Sequence, residues 1–136
     1  MDSNICVYFL KATFPPLRKR LLSHRPAEIV IPSLVKAELL CGAYKSQKTA
    51  QNEQAVVRFL LPYAVAAFGD LEASHYAQIR ALLEKSGTPI GPNDMIIAAI
   101  ARANEGILVT HNVSQFSRVP GLSIEDWTSD QDGGGT

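Results

Sequence analysis

The stretch GPNDMIIAAIARANEGILVT, residues 91–110, holds both kinds of element from which this chain is built. Gly91-Pro92 opens a helix, because proline suits a first helical turn, where its missing N–H is not needed. The helix runs through Met95, Ile96, Ile97 and Ile100, apolar nearly all round, so it is expected to be buried on most sides. Residues 107–110, Ile-Leu-Val-Thr, then read as a short strand.

The same alternation extends outward in both directions. Residues 28–31 read as a strand, and Pro32-Ser33 opens a helix to about Tyr44, its end loosened by Gly42. A second helical stretch covers residues 51–61 and stops at Pro62, and residues 65–68 form the next strand. Residues 71–86 are amphipathic, with Tyr76, Ile79, Leu82 and Leu83 on one stripe and Gly87 at the end. Residues 122–127 form a last edge strand after the turn at Pro120-Gly121, and residues 129–136, ending in three glycines, form a disordered tail. Helices alternating with short apolar runs specify an α/β domain, a parallel sheet with helices on both faces. The first ten residues stay open: Val7, Tyr8 and Phe9 favour a strand, whereas Asn4 equally caps a helix from Ile5.

At 136 residues the chain is one domain, with a core large enough to need no disulfide. A composition 46% hydrophobic and 19% charged is that of a globular protein. No apolar run approaches the roughly 18 residues that span a bilayer, and residues 5–10 are too short for a signal-peptide core, so the expected location is the cytosol. Cys6 and Cys41 lack a CxxC spacing, and His24, His75 and His111 lack a paired one, which speaks against zinc and for reduced, buried cysteines. The zero net charge is uneven: residues 11–58 carry nine Lys/Arg against three glutamates, a balance of +6 offset by −6 elsewhere. A basic half suits a phosphate backbone and an acidic half suits metal ligation, although the cluster Arg18, Lys19, Arg20, His24, Arg25 is also what a solvated helix face looks like.

Open α/β sheets gather ligands at the carboxyl edge of their strands, and each right-handed crossover helix starts there. Glu38 lies in the second turn of the helix after the 28–31 strand, about 9 Å along it. It shares a stripe with Leu34, Ala37 and Cys41, where an unpaired carboxylate is costly. Asp94 sits in the first turn of its helix, a position that the helix dipole alone also explains. Thr110 and Asn112 leave the same edge, and Asp2 joins them if it ends a first strand rather than preceding one. Three acids on one edge repel unless a cation lies between them, and oxygen ligands select Mg²⁺ or Mn²⁺. Such an ion activates water against a phosphodiester. No GxSxG elbow, phosphate-binding glycine loop or suitably partnered His competes with this chemistry, and a receiver domain would need a lysine near the last strands that is not there.

At these residues the sequence resembles the PIN-domain ribonucleases, and in particular the VapC toxins of type II toxin–antitoxin pairs. The matching segments are Asp2-Ser3-Asn4-Ile5-Cys6, Ala37-Glu38-Leu39-Leu40-Cys41-Gly42-Ala43 and Pro89-Ile90-Gly91-Pro92-Asn93-Asp94. They continue as Leu108-Val109-Thr110-His111-Asn112, Phe116-Ser117-Arg118-Val119-Pro120-Gly121-Leu122 and Glu125-Asp126-Trp127. The resemblance implies a three-layer α/β/α PIN domain over residues 1–128 with a short, mostly parallel central sheet. It implies Asp2, Glu38 and Asp94 as catalytic, metal-holding acids, Asn112 as a further ligand, Thr110 as a supporting residue and Asn4 as the residue orienting Asp2. It also implies a homodimer, a VapB antitoxin and structured RNA such as tRNA as substrate; the basic first half, by its charge, offers Arg18, Lys19, Arg20, Lys45 and Lys48 as RNA contacts. Two departures stand out: Asn112 falls where many members carry aspartate, and Met1 alone precedes Asp2, where members carry several apolar residues. The expected activity is RNA cleavage by metal-activated water. The alternative is a PIN-like module that binds RNA or antitoxin with weakened catalysis.

Overall fold

The computed structural model describes residues 1–11 and 14–128, apart from the side chains of Ser3, Asn4, Tyr8 and Phe9. The expected C-terminal tail, residues 129–136, lies outside the described residues.

The open question at the chain start resolves as helix α1, Ser3–Leu10. The cap is Asp2: its Oδ1 accepts the Ile5 N–H at 2.9 Å, and its carbonyl accepts the Cys6 N–H at 3.2 Å. Ile5 and Cys6 both fall to 0% exposure, so packing overrides the strand propensity of residues 7–9. Helix α2, Pro15–Ser23, was not foreseen behind its charges; Pro15-Pro16 fill its first turn, and Leu17 and Leu21 bury one face.

Strand β1 is Val30–Pro32, later than expected, because residues 26–28 form a 3-10 turn closed by Glu28 Oε1 accepting the Arg25 N–H at 2.8 Å. Helix α3, Ser33–Lys45, continues straight through Gly42 and packs against α4, Thr49–Leu60. Strand β2, Ala64–Ala66, is followed by α5, Asp70–Lys85, and α6, Pro92–Ala103. On α5 the buried pair is Ile79 and Leu83, with Tyr76 half-buried, while Leu82 turns outward at 44% exposure. Strand β3, Ile107–Val109, a four-residue helix α7, Val113–Phe116, and strand β4, Ser123–Glu125, complete the fold.

All strand pairing is parallel: β1 with β2, Val30 opposite Ala64, and β3 with β4, Ile107 opposite Ser123. The strands form two separate two-stranded sheets, and α6 touches both β1 and β3. This is the expected α/β/α architecture with its sheet in two halves. As foreseen, α6 is buried on most sides, with Met95, Ile97, Ala98, Ala99 and Ile100 all covered. Arg102 ties α6 to α5 and to the following turn, donating to His75 Nδ1 at 2.9 Å, Gln78 Oε1 at 2.8 Å and the Pro120 carbonyl at 3.0 Å.

Cys6 behaves as a packing residue, its thiol pushed up to about 12 by burial. Cys41 does not: it is exposed on α3. Among the described residues, no helix is long and apolar enough to cross a membrane.

Helix α5 ends with Gly87 at φ 68°, its N–H donating to the Glu84 carbonyl at 3.2 Å while the Thr88 N–H donates to Leu83 at 3.0 Å. A side chain in that left-handed conformation is strained, so Gly87→Ala is expected to cost about 1 kcal/mol. The measurement is the urea midpoint, which should fall with the slope unchanged; an equal or higher midpoint would contradict the assignment.

Candidate active site

The carboxyl ends of β1 and β3 deliver the residues that matter. Pro32 leads into α3 and thus to Glu38, and Val109 leads into Thr110 and Asn112. Asp94 enters from the first turn of α6, where the Met95 N–H closes on the Gly91 carbonyl at 3.0 Å.

Asp2 is the fixed point. It is 4% exposed, and its N–H donates to the Val109 carbonyl at 3.1 Å. Its Oδ1 is held by the Ile5 N–H at 2.9 Å and its Oδ2 by the Thr110 hydroxyl at 2.5 Å. Thr110, itself 0% exposed, in turn accepts the Asn112 N–H at 2.9 Å. The aspartate is therefore oriented by two donors from segments far apart in the chain. Reading the residues pointed to Thr110 but missed the Ile5 amide and the Val109 carbonyl, since backbone groups leave no trace in residue identity. The side chain of Asn4, expected to orient Asp2, lies outside the described residues.

Electrostatics couple the other two acids to it. Burial raises the Asp2 carboxyl, its hydrogen bonds and the amino terminus lower it, and Glu38 raises it again. Asp94 is raised by burial first, then by Asp2 and Glu38. Among the described residues neither Asp2 nor Asp94 has a salt bridge. The three acids thus repel one another on one rim. Among the described residues, however, no three His, Cys, Asp or Glu side chains are already drawn together at metal-holding distance. Glu38 and Asp94 are half-buried. An all-oxygen, mutually repelling donor set with one member fixed fits a hard divalent cation.

Glu38 does not sit on a buried stripe with Leu34, Ala37 and Cys41. The buried stripe of α3 is Val35, Leu39 and Ala43, and Glu38 lies on its half-buried flank because Ala37 and Cys41 face outward. Asn112 is also half-buried, at the start of α7.

The basic residues divide. Lys45 lines the same cavity as Glu38 and Asn93. Arg18 and Lys19 are exposed on α2, and Lys48 is exposed before α4. Arg20 is turned inward: its Nη2 lies 3.3 Å from Glu125 Oε1 and its guanidinium 5.1 Å from the centre of the Trp127 ring, which also stacks on His24 at 4.7 Å. Beside Thr110, His111 Nδ1 lies 3.0 Å from Asp126 Oδ2.

The family model of the PIN domain matches residues 1–122. A tRNA(fMet)-specific endonuclease VapC from Shigella flexneri is 37% identical over 128 residues, covering 94% of this chain and 96% of that protein. Ribonuclease VapC2 from Rickettsia felis is also 37% identical, over 93% of this chain and 96% of its own length. Among solved structures, the DNA-bound VapBC of Salmonella typhimurium superposes with a TM-score of 0.87 at 36% identity, over 93% of this chain and 95% of the other.

Because the folded Asp2 and Asp94 carboxyls bind protons more readily than ordinary carboxyls, ionising them opposes folding of the metal-free chain. Their destabilisation is present above the raised folded values and is relieved as pH falls through them toward the ordinary value of 3.8. Asp94→Asn is therefore expected to raise the metal-free melting temperature at pH 7 and to flatten its rise on mild acidification. Scanning calorimetry between pH 7 and 5 checks this, and a lowered melting temperature would contradict it. Thr110→Val removes a donor from a buried carboxylate and should cost about 1–3 kcal/mol, read by chemical denaturation.

Proposed function

The chain belongs to the PIN-domain family, and from that premise we propose that it is an endoribonuclease toxin of the VapC type, restrained by a VapB-type antitoxin. What supports the reading is that Asp2 is buried and held by two donors and that Asp94 feels the charges of both Asp2 and Glu38.

Asp2, Glu38, Asp94 and Asn112 would hold Mg²⁺ or Mn²⁺, which when bound supplies Lewis acidity toward water and the scissile phosphate. The chain's own residues do the rest. Thr110 and the Ile5 amide fix the Asp2 lone pairs. Asp94, raised by burial and then by Asp2 and Glu38, gains from a cation what it loses to repulsion. Lys45, beside Glu38, offers a positive charge to an RNA phosphate, with Arg18, Lys19 and Lys48 extending the basic surface. Arg20 serves α2 and the C-terminal segment instead. The substrate is tRNA or another structured RNA, the class named for the Shigella relative.

An apolar groove lined by Val7, Leu10, Leu39, Ala43 and Ala55 opens beside Glu38 and offers an antitoxin segment a seat over the site. Val57, Leu61, Val65 and Phe68 are large exposed hydrophobic residues that suit a second copy, giving a homodimer. The folded unit is residues 1–128, working in the cytoplasm.

A second reading, a module that binds RNA or antitoxin with weakened catalysis, is favoured by Asn112 in place of another acid and by carboxylates not yet at ligand distance. Glu38→Ala and Asp94→Ala are expected to lower tRNA cleavage by about 10²-fold or more, at least the loss typical of outer-shell metal partners, with circular dichroism unchanged. Chelator should stop the parent and Mn²⁺ restore it. If both variants cut like the parent, the ribonuclease reading is wrong; chelator-insensitive RNA binding without products would favour the module.

A further inference from the structure

His111 stands between Thr110 and Asn112, the two residues that the exit from β3 contributes to the site. Thr110 is fixed through both of its polar groups. Its N–H donates to the Glu125 carbonyl at 3.0 Å, and its hydroxyl donates to Asp2 while accepting the Asn112 N–H at 2.9 Å. At Asn112 the chain leaves both regular conformations, with φ −93° and ψ 59°, and the Asn112 carbonyl accepts the Phe116 N–H at 3.3 Å. Asparagine at the start of a helix usually turns back to accept an N–H of the first turn. Asn112 makes no such bond. Its half-buried side chain is therefore aimed by the backbone of the 110–112 turn and not by its own helix.

The middle of that turn is held through the His111 ring. Nδ1 donates to Asp126 Oδ2 at 3.0 Å, since a carboxylate can only accept. The acceptor is itself fixed: Asp126 Oδ1 accepts the Thr128 N–H at 2.9 Å and the Thr128 hydroxyl at 2.6 Å. With its hydrogen committed there, the Thr128 oxygen faces the same Nδ1 at 3.0 Å as a further acceptor. Burial raises the Asp126 carboxyl, but the two Thr128 bonds and His111 outweigh it and hold the group below its ordinary value, as an ionised acceptor. The Phe14 ring, at the start of α2, packs against the imidazole at 5.5 Å between centroids. The exits of β3 and β4 and the start of α2 thus meet on one side chain.

This cluster does little for the fold as a whole. The His111 and Asp126 side chains are 48% and 31% exposed, and a pair so open to water contributes little to global stability. Its constraint is local: it removes freedom from the turn that aims Asn112.

We propose that His111, held by Asp126, is a positioning residue for the cation site, fixing the 110–112 turn so that Asn112 meets a cation shared with Asp2, Glu38 and Asp94. It does so without touching metal or RNA. The proposal rests on the reading of those four residues as a divalent-cation site.

The test measures Mn²⁺ affinity by electron paramagnetic resonance for the parent, His111→Ala, Asp126→Ala, the double variant and His111→Asn, whose amide nitrogen stands where Nδ1 does. Each alanine variant is expected to weaken Mn²⁺ binding by about 10- to 100-fold, the range for groups that orient metal ligands. The double variant should be no weaker than the weaker single one, because both changes break one contact. His111→Asn should recover most of the affinity. In the metal-free protein, amide exchange at Asn112 should quicken about tenfold in the alanine variants, while the melting temperature stays within about 3 °C of the parent. RNA cleavage lost at low Mn²⁺ should return at saturating Mn²⁺.

Parent-like Mn²⁺ affinity in both alanine variants, or additive losses in the double variant, would overturn the inference. So would a raised KM for RNA at unchanged metal affinity, the mark of a nucleic-acid contact. A parent that takes up no Mn²⁺ would overturn the cation reading and this inference with it, an outcome distinct from variants that bind as the parent does.

Discussion

The hydroxyl of Thr110 donates to the carboxylate of a buried Asp2, and much of the rest of the structure follows from that contact. A buried carboxylate is tolerated only with its lone pairs satisfied. Here one donor comes from the end of β3, 108 residues away in sequence, and the other from the first turn of α1. The same aspartate thereby caps a helix, ties the chain start to the sheet edge and presents a charge to the rim. Position and ionisation are set together: burial and Glu38 push the carboxyl up, and the two hydrogen bonds hold it back.

Around that fixed point the packing is divided in a way that suits a ligand site. Ile5, Ile31, Val35, Ile97, Leu108 and Phe116 are buried, so the two strand ends leading to the rim rest on a closely packed interior. Glu38 and Asp94 stand at the half-buried margin of that interior, on the early turns of α3 and α6.

Charge on the rest of the surface is sorted by contact more than by sequence. Arg20 belongs by composition with Arg18 and Lys19, yet it lies between Glu125 and the Trp127 ring. A single half-buried pair of this type contributes modestly by itself, but together with the His24 stack it fastens α2 to the C-terminal segment. Lys45, more than twenty positions later, lines a cavity with Glu38.

The sequence by itself determined the α/β alternation, the helices α3 to α6 and the parallel strands near residues 30, 65, 108 and 124, and it named the three acids as candidates. These follow from periodicity, proline and glycine positions, and the rule that helices begin at the carboxyl edge, all local or nearly local signals. Only the tertiary structure decided that residues 3–10 are helical, since Asn4 and the 7–9 run argued for opposite answers and the burial of Ile5 and Cys6 chose between them. It likewise decided that Glu38 flanks the buried stripe, that Cys41 faces outward and that Arg20 turns inward. Those facts depend on which neighbour covers a side chain, and a neighbour distant in sequence leaves no local pattern to read.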